Sequence, residues 1–223
     1  MHLLASLKNI SSFLRSFIFP FFCSYCRGFL EENQVLCDRC LARLRPIVSA
    51  PFRLTKKRTL SVFAISDYEY PLRSLVQAKQ YGNRLASRQL GRLLWEHTPL
   101  SQIDFDIIVP VPLHWTRYAW RGFNQAQEMA QMVAHYSGKP MILLLERSQR
   151  TMLQAGLSRF ERTENVYEVF SLTAEANYYR GASVLFVDDV MTTGSTLFAA
   201  SRAIFPLRPK NIQAAVVCRV MSK

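Results

Sequence analysis

Val184-Leu185-Phe186-Val187-Asp188-Asp189-Val190-Met191-Thr192-Thr193-Gly194-Ser195-Thr196 is the stretch on which the reading of this chain turns. Its apolar run, extending back to Ala182, is short and bounded by turn residues, the pattern of a strand buried on both faces of a parallel sheet. A helix is expected from Thr196 to Phe205. In open α/β sheets ligands collect beyond the carboxyl ends of the strands, so the turn between these elements is where a site belongs. Gly194 and its small neighbours let backbone N–H groups approach an anion. The helix start adds partial positive charge, and Thr192, Thr193, Ser195 and Thr196 add hydroxyl donors. Asp188 and Asp189 cannot face that anion. They suit the vicinal hydroxyls of a sugar, with Mg²⁺ able to offset their charge.

Working outward, Gln213 to Val220 reads as a final strand and Phe105 to Pro110 as an earlier buried one, stopped by Pro110 and Pro112. Between them, Phe123, Ala126, Ala130 and Val133 recur at helical spacing until Gly138, and Met141 to Leu145 reads as another buried strand. Upstream, Ser61 to Tyr70 alternates like a strand. Pro71 then opens a helical segment carrying Leu72, Leu75, Val76, Ala86, Leu90, Leu93 and Leu94, broken near Gly82. Glu146 to Glu168 is charged, has few core signals and reads as mobile. Strands alternating with helices predict an α/β fold, a parallel sheet with helices on both faces. Residues 46–60, with Pro46, Pro51 and Lys56-Lys57-Arg58, read as a linker, which divides the chain into 1–58 and 59–223.

The formal charge is +12, and it is uneven: residues 1–60 hold 10 Lys/Arg against 3 Asp/Glu. Such a field favours nucleic acid, nucleotide phosphates or an anionic surface as partners. No apolar run reaches the roughly 18–20 residues of a membrane span. Residues 1–22 resemble a signal peptide superficially, but Arg15 interrupts the apolar stretch, and Phe21-Phe22-Cys23 replaces the small residues a cleavage site needs. The segment reads as retained, its apolar side (Leu3, Leu4, Leu14, Phe17, Ile18, Phe21) covering the domain rather than touching a membrane. A cytoplasmic address is expected.

Cys23-x2-Cys26 and Cys37-x2-Cys40 have the spacing of two zinc knuckles, in which paired thiolates turn toward one centre. Four sulfurs leave no open coordination position, so the expected Zn²⁺ is structural. Arg27, Arg39, Arg43, Arg45, Arg53, Lys56, Lys57 and Arg58 surround the cysteines, with Phe19, Phe21, Phe22, Tyr25, Phe29 and Phe52 interleaved. Basic and aromatic residues together suit single-stranded nucleic acid. The Phe residues are equally the material of a small metal-stapled core, and that role is expected of them. Cys218 reads as a buried small hydrophobe.

The acidic pair and Thr-Thr-Gly loop resemble the phosphoribosyl pyrophosphate signature of type I phosphoribosyltransferases. That resemblance implies that Asp188 and Asp189 bind the ribose hydroxyls and residues 192–196 the 5′-phosphate, with Val190 and Met191 completing the loop. Val109 to Arg117 resembles the same family's pyrophosphate segment, which puts His114, Thr116, Arg117 and Arg121 near the leaving group. His114 stands there either as a participant or as an ordinary loop residue. Together with the four-cysteine module, Arg121-Gly122-Phe123-Asn124-Gln125-Ala126 and the series Arg150-Thr151-x2-Gln154-x2-Leu157-x4-Arg162-x2-Asn165-x4-Phe170, these motifs look like the ComF family across residues 20–220.

The resemblance implies a type I phosphoribosyltransferase fold with a small N-terminal zinc-binding module. It also implies a part in bringing transforming single-stranded DNA inward beside a helicase-like partner. It makes Arg150, Thr151, Gln154, Arg162 and Asn165 a flexible loop over the ligand. Lys79, Tyr81 and Gly82 are either a further family segment or a plain helix break. Three functions stay open: a DNA-uptake factor using the fold as a binding module, a phosphoribosyltransferase of nucleotide metabolism with an unknown acceptor, and a regulator that senses phosphoribosyl pyrophosphate. Fold alone does not choose between them.

Overall fold

The computed structural model describes residues 20–48, 51–78, 83–147 and 169–220. The chain divides into two compact units, residues 1–44 and 45–223. In the first, β1 (Phe21–Phe22) and β2 (Phe29–Leu30) form an antiparallel ribbon, followed by the single-turn α1 (Asp38–Leu41).

The second unit is built on a six-stranded sheet. Two short strands, β3 (Ile47–Val48) and β4 (Phe52–Arg53), run antiparallel to β5 (Thr59–Asp67). The unit boundary therefore falls at 44/45 and not after 58, because the proline-bearing stretch read as a linker supplies edge strands. Pro46 and Pro51 sit just outside them, as a residue lacking an N–H donor must.

Helices α2 (Leu72–Ala78) and α3 (Arg84–Glu96) follow, then β6 (Ile107–Pro110), α4 (Trp115–Arg121) and α5 (Gln125–Ser137). After α5 come the antiparallel ribbon β7 (Leu145–Arg147) and β8 (Phe170–Leu172), then β9 (Val184–Met191), α6 (Ser195–Ala203) and β10 (Ile212–Arg219). The central strands are all parallel, in the order β5-β10-β9-β6.

Three expectations need correction. Met141 makes one isolated parallel bridge to Ile108, and the strand proper is Leu145–Arg147, which pairs with β8 outside the main sheet. The strand before the decisive turn runs through both aspartates to Met191, because Val216, Cys218 and Arg219 of β10 continue to pair with Asp188, Val190 and Met191. Phe22 and Phe29 are 51% and 62% exposed, and the small unit's core is Leu30, Val35 and Leu36 instead. A two-residue ribbon has one inward face, and Leu30 takes it. Phe52 is no part of that unit: it packs edge-on to Phe198 at 5.9 Å under the guanidinium of Arg219. The readings of residues 1–22, of the break at Lys79, Tyr81 and Gly82, and of the loop residues Arg150, Thr151, Gln154, Arg162 and Asn165 fall wholly or mostly outside the described residues.

Packing explains the rigidity of the sheet. Val184, Leu185, Phe186 and Val187 are all at most 2% exposed, and each such side chain contributes about 1.5–3 kcal/mol on burial. On one face α3 and α5 approach closely enough that a methyl group on Gly91 would lie 2.7 Å from the Met129 carbonyl oxygen. Glu128 fixes the same pair of helices, taking Arg88 at 2.8 Å and Arg84 at 3.8 Å while its own side chain is only 9% exposed. Both helices open on asparagine caps, Asn83 accepting from Ala86 N–H and Asn124 from Ala126 N–H. Gly91→Ala should lower the unfolding free energy by about 1–3 kcal/mol in a urea titration, because rigid backbone and not a mobile side chain blocks the added methyl. Gly28→Ala, whose added carbon meets only the Cys26 sulfur at 3.4 Å, should have a much smaller effect.

Candidate functional site

At the carboxyl ends of the parallel strands lies a cleft of about 460 Å³. The end of β5 contributes Tyr68, the end of β6 Val111, and β9 Asp188 and Asp189, so the site stands where an open parallel sheet places one. Thr192 and Thr196 from the turn after β9 line it as well.

Each aspartate anchors itself. Asp188 Oδ1 accepts from the N–H of Asp189 at 2.8 Å, and Asp189 Oδ1 accepts from the N–H of Val190 at 2.6 Å. One oxygen of each carboxylate is therefore committed to the backbone, which orients the group against the cleft. Beyond Met191 the chain turns through Gly194, whose φ of +79° lies in the left-handed region. A Cβ there would also press on the mobile tip of Met191, so the positive φ is what calls for glycine. Gly194 caps α6, and Ser195 N–H donates to Thr193 Oγ1 at 3.4 Å while Thr193 Oγ1–H donates to Ser195 Oγ at 3.1 Å. Thr192, Thr193, Ser195 and Thr196 are all exposed. The turn is an open cradle of donors at a helix start.

Two arginines line the same cleft. Arg121, at the end of α4, lines the cleft and donates from Nη1 to Gln125 Oε1 at 2.7 Å, and Arg147 lines it from β7 over the ring of Phe170. Asn124 ties this wall together, its Oδ1 capping α5 while its Nδ2–H donates to the Val111 carbonyl at 3.1 Å. Sequence reasoning marked Arg121 and quoted Gln125 within a family motif, but gave no site role to Tyr68, Arg147 or the buried Gln125. Tyr68 fell inside the stretch read as a strand, and Arg147 in a segment read as charged and mobile. His114 and Thr116 do not line the cleft. His114 caps α4, its Nδ1 accepting from Thr116 N–H at 3.3 Å and lying 2.7 Å from Thr116 Oγ1. Arg117 stands on α4.

The four cysteines of the small unit converge: one sulfur from each of Cys23, Cys26, Cys37 and Cys40 lies within 4.8 Å of all the others. A tetrahedron with ~2.3 Å metal–sulfur bonds has edges of about 3.8 Å, and the Cys26 and Cys37 sulfurs already stand 3.6 Å apart. The first knuckle closes through Cys23 N–H to Gly28 O at 2.8 Å and Arg27 N–H to Cys23 O at 3.0 Å, with Arg27 at φ +62°.

The thiols are unequal. Burial pushes Cys23 up, but the backbone N–H groups of Cys26, Cys37 and Tyr25 and the Cys26 thiol outweigh it and hold it down to about 6. Burial, then hydrogen bonds with Cys37, Cys26 and Cys23, push Cys40 up. One sulfur is prepared as a thiolate while another shares a proton with it, an arrangement a divalent cation resolves by replacing the protons. The cluster can hold a metal ion.

Residues 89–223 match the phosphoribosyl transferase domain family. Competence protein F of Haemophilus influenzae is 30% identical over 87% of this chain and 95% of its own length. DNA utilization protein YhgH of Salmonella typhimurium is 30% identical over 89% and 90%, and competence protein ComFC of Bacillus subtilis is 32% identical over 44% and 38%. Among solved structures, glutamine phosphoribosylpyrophosphate amidotransferase from B. subtilis, complexed with ADP and GMP, aligns over 61% of this chain and 26% of that one, with 21% identity and a TM-score of 0.40. With its four-cysteine unit, its parallel sheet and relatives of this identity and coverage, the chain belongs to the ComF family and carries a phosphoribosyl transferase domain.

Proposed function

We propose that this is a ComF-type competence protein that supports uptake of transforming single-stranded DNA in the cytoplasm, and that its cleft binds phosphoribosyl pyrophosphate with Mg²⁺. The observation that carries the ligand is the joint placement of Asp188 and Asp189 with an open hydroxyl-rich turn in one cleft of about 460 Å³. Carboxylates accept from the two ribose hydroxyls, and the Thr192–Thr196 turn donates to the 5′-phosphate. The pyrophosphate then falls on the Arg121 and Arg147 side, where guanidiniums match its charge. Arg121 sits on that wall by geometry, and Arg117 joins it on the same helix by family pattern. Mg²⁺ fits the donor set, since it is held by one or two carboxylates plus substrate oxygens, and it would neutralise the phosphates against the acidic pair.

In the same reading Cys23, Cys26, Cys37 and Cys40 hold a structural Zn²⁺, and the loop carrying Arg150, Thr151, Gln154, Arg162 and Asn165 closes over the ligand. The competence role rests on the relatives' names, which speak of competence and DNA utilization. A helicase-like partner accompanies it by family resemblance. Among the described residues no helix is long and apolar enough to cross a membrane.

Asp188→Asn with Asp189→Asn keeps an oxygen to accept from the next backbone N–H but removes both charges. Calorimetry should show phosphoribosyl pyrophosphate affinity falling about thirtyfold or more at an unchanged thermal midpoint, since hydrogen bonds to charged groups outweigh neutral ones by about 1 kcal/mol each. Unaltered affinity would remove the ligand from this cleft. Cys40→Ser should purify with less than one equivalent of zinc by elemental analysis and expose residues 20–44 to protease, whereas a full equivalent of zinc would contradict the four-sulfur site. Incubation with phosphoribosyl pyrophosphate, Mg²⁺ and a panel of nucleobases, followed for pyrophosphate release, separates a binding module from a transferase. The binding-module reading expects none.

A further inference from the structure

The opposite end of the sheet carries a second cleft, of about 200 Å³, that the reading above leaves unused. It lies between the β4–β5 turn and the loop entering β10, and its charged lining is Lys57, Arg58 and Lys210. Sequence reading grouped the 53–58 cations with the cysteines, but they belong to residues 45–223, beside Lys210. Neither residues 51–61 nor residues 202–213 contain an Asp or Glu, although together they hold Arg53, Lys56, Lys57, Arg58, Arg202, Arg208 and Lys210. The two segments are locked together: Arg58 Nη1 donates to Pro209 O at 2.8 Å, and its guanidinium stacks on Phe205 at 5.3 Å. Arg58 is thus a fixed wall, while Lys57 and Lys210 are exposed cations with their stems at the rim.

The floor is polar for a reason visible in the register. Ser61 pairs with Gln213 across β5 and β10, so Thr59, Ser61, Asn211 and Gln213 share one face of the sheet, the face that turns apolar at the next such pair, Phe63 and Ala215. Four hydrogen-bonding side chains occupy the stretch where Leu60, Ile212 and Ala214 of the other face are core. Gln213 lines the cleft with a carboxamide whose buried Oε1 has no hydrogen-bond partner among the described residues.

We infer that this cleft, formed by Lys57, Arg58, Thr59, Ser61, Lys210 and Gln213, binds backbone phosphate of a single-stranded nucleic acid. Cations at the rim and neutral donors on the floor are what a phosphate needs, and the absence of carboxylates excludes a metal or an amine. Size selects the source. About 200 Å³ is below the roughly 300–1,000 Å³ that buries a whole small ligand, so the cleft suits one phosphate of a strand crossing its mouth rather than an enclosed free nucleotide. The inference rests on the reading that the protein meets single-stranded DNA, and is independent of what occupies the acidic cleft.

The test measures anisotropy of a labelled oligothymidylate with the full chain across a salt series. Lys57→Ala with Lys210→Ala should reduce the log–log salt slope by about 0.7, the value for the one phosphate left unneutralised, and weaken binding about fourfold near 0.15 M salt. Lys139→Ala, an exposed cation elsewhere, should leave the slope unchanged. Gln213→Leu should weaken binding with no change in slope, because it removes a donor and no charge. ATP in place of the oligonucleotide should compete no better than its ionic strength predicts. Oligonucleotide binding with the wild-type slope in the lysine double variant overturns this site alone; no binding by the wild-type chain at low salt overturns the DNA reading itself. Saturable ATP binding that the lysine variants abolish, with the oligonucleotide slope unmoved, reassigns the cleft to free nucleotides and overturns the strand.

Discussion

Two adjacent carboxylates project from the end of a strand that has hydrogen-bonded neighbours on both sides, and the rest of the phosphoribosyl transferase domain is arranged to make that tolerable. Like charges side by side repel, and in an apolar surrounding they would be protonated or displaced. Here β9 passes from a dry interior at Val187 to a half-exposed tip at Asp188 within one residue. The backbone amides of Asp189 and Val190 answer one oxygen of each acid, and Arg121 and Arg147 stand on the far side of the cleft. Because β10 pairs with β9 as far as Met191, the acids cannot relax away from each other by bending the strand. A rigid acidic pair needing hydroxyls and a cation is the consequence.

The same sheet gives its two ends opposite characters. At the carboxyl end the acids alternate with guanidiniums around the larger cleft, a mixture suited to a ligand bearing both a diol and phosphates. At the amino end the lining has cations and neutral donors with no acid. Parallel strands make this separation possible, since every strand enters at one end and leaves at the other. The acidic lining and the all-basic lining thus lie at opposite ends of the same strands.

What was legible in the sequence follows from how local each signal is. Asp188 through Thr196 could be read because one strand, one turn and one helix start carry the whole cradle, and the four cysteines because two close pairs fix their own geometry. Periodicity found α5 to its Gly138 cap, at φ +69°. What escaped depends on pairing between distant segments. Residues 47–53 form strands only because β5 offers an edge, and Arg147 reaches the cleft only because β7 pairs with β8 across the residues between them. His114 is ambiguous for a related reason: a capping imidazole and a ligand-facing one occupy the same place in the sequence, and its cap on α4 through Thr116 is not a contact that spacing reveals.

The small unit follows a different logic, since residues 20–44 bury too few side chains to hold a fold by apolar packing alone. Its buried apolar residues besides cysteine are Leu30, Val35 and Leu36, and at about 1.5–3 kcal/mol each they fall well short of ordering some 25 residues at about 1–2 kcal/mol apiece. A metal ion held by the four sulfurs would contribute folding free energy that so small an apolar core does not supply. The depressed Cys23 thiol fits that role: hydrogen bonds from the backbone of Cys26, Cys37 and Tyr25 favour the thiolate, the form that ligates a cation. Phe22 and Phe29 are left on the outer face as an edge-to-face pair at 6.4 Å. A unit stapled by sulfur can present its aromatics to solvent, which a unit of this length held by its own hydrophobes could not.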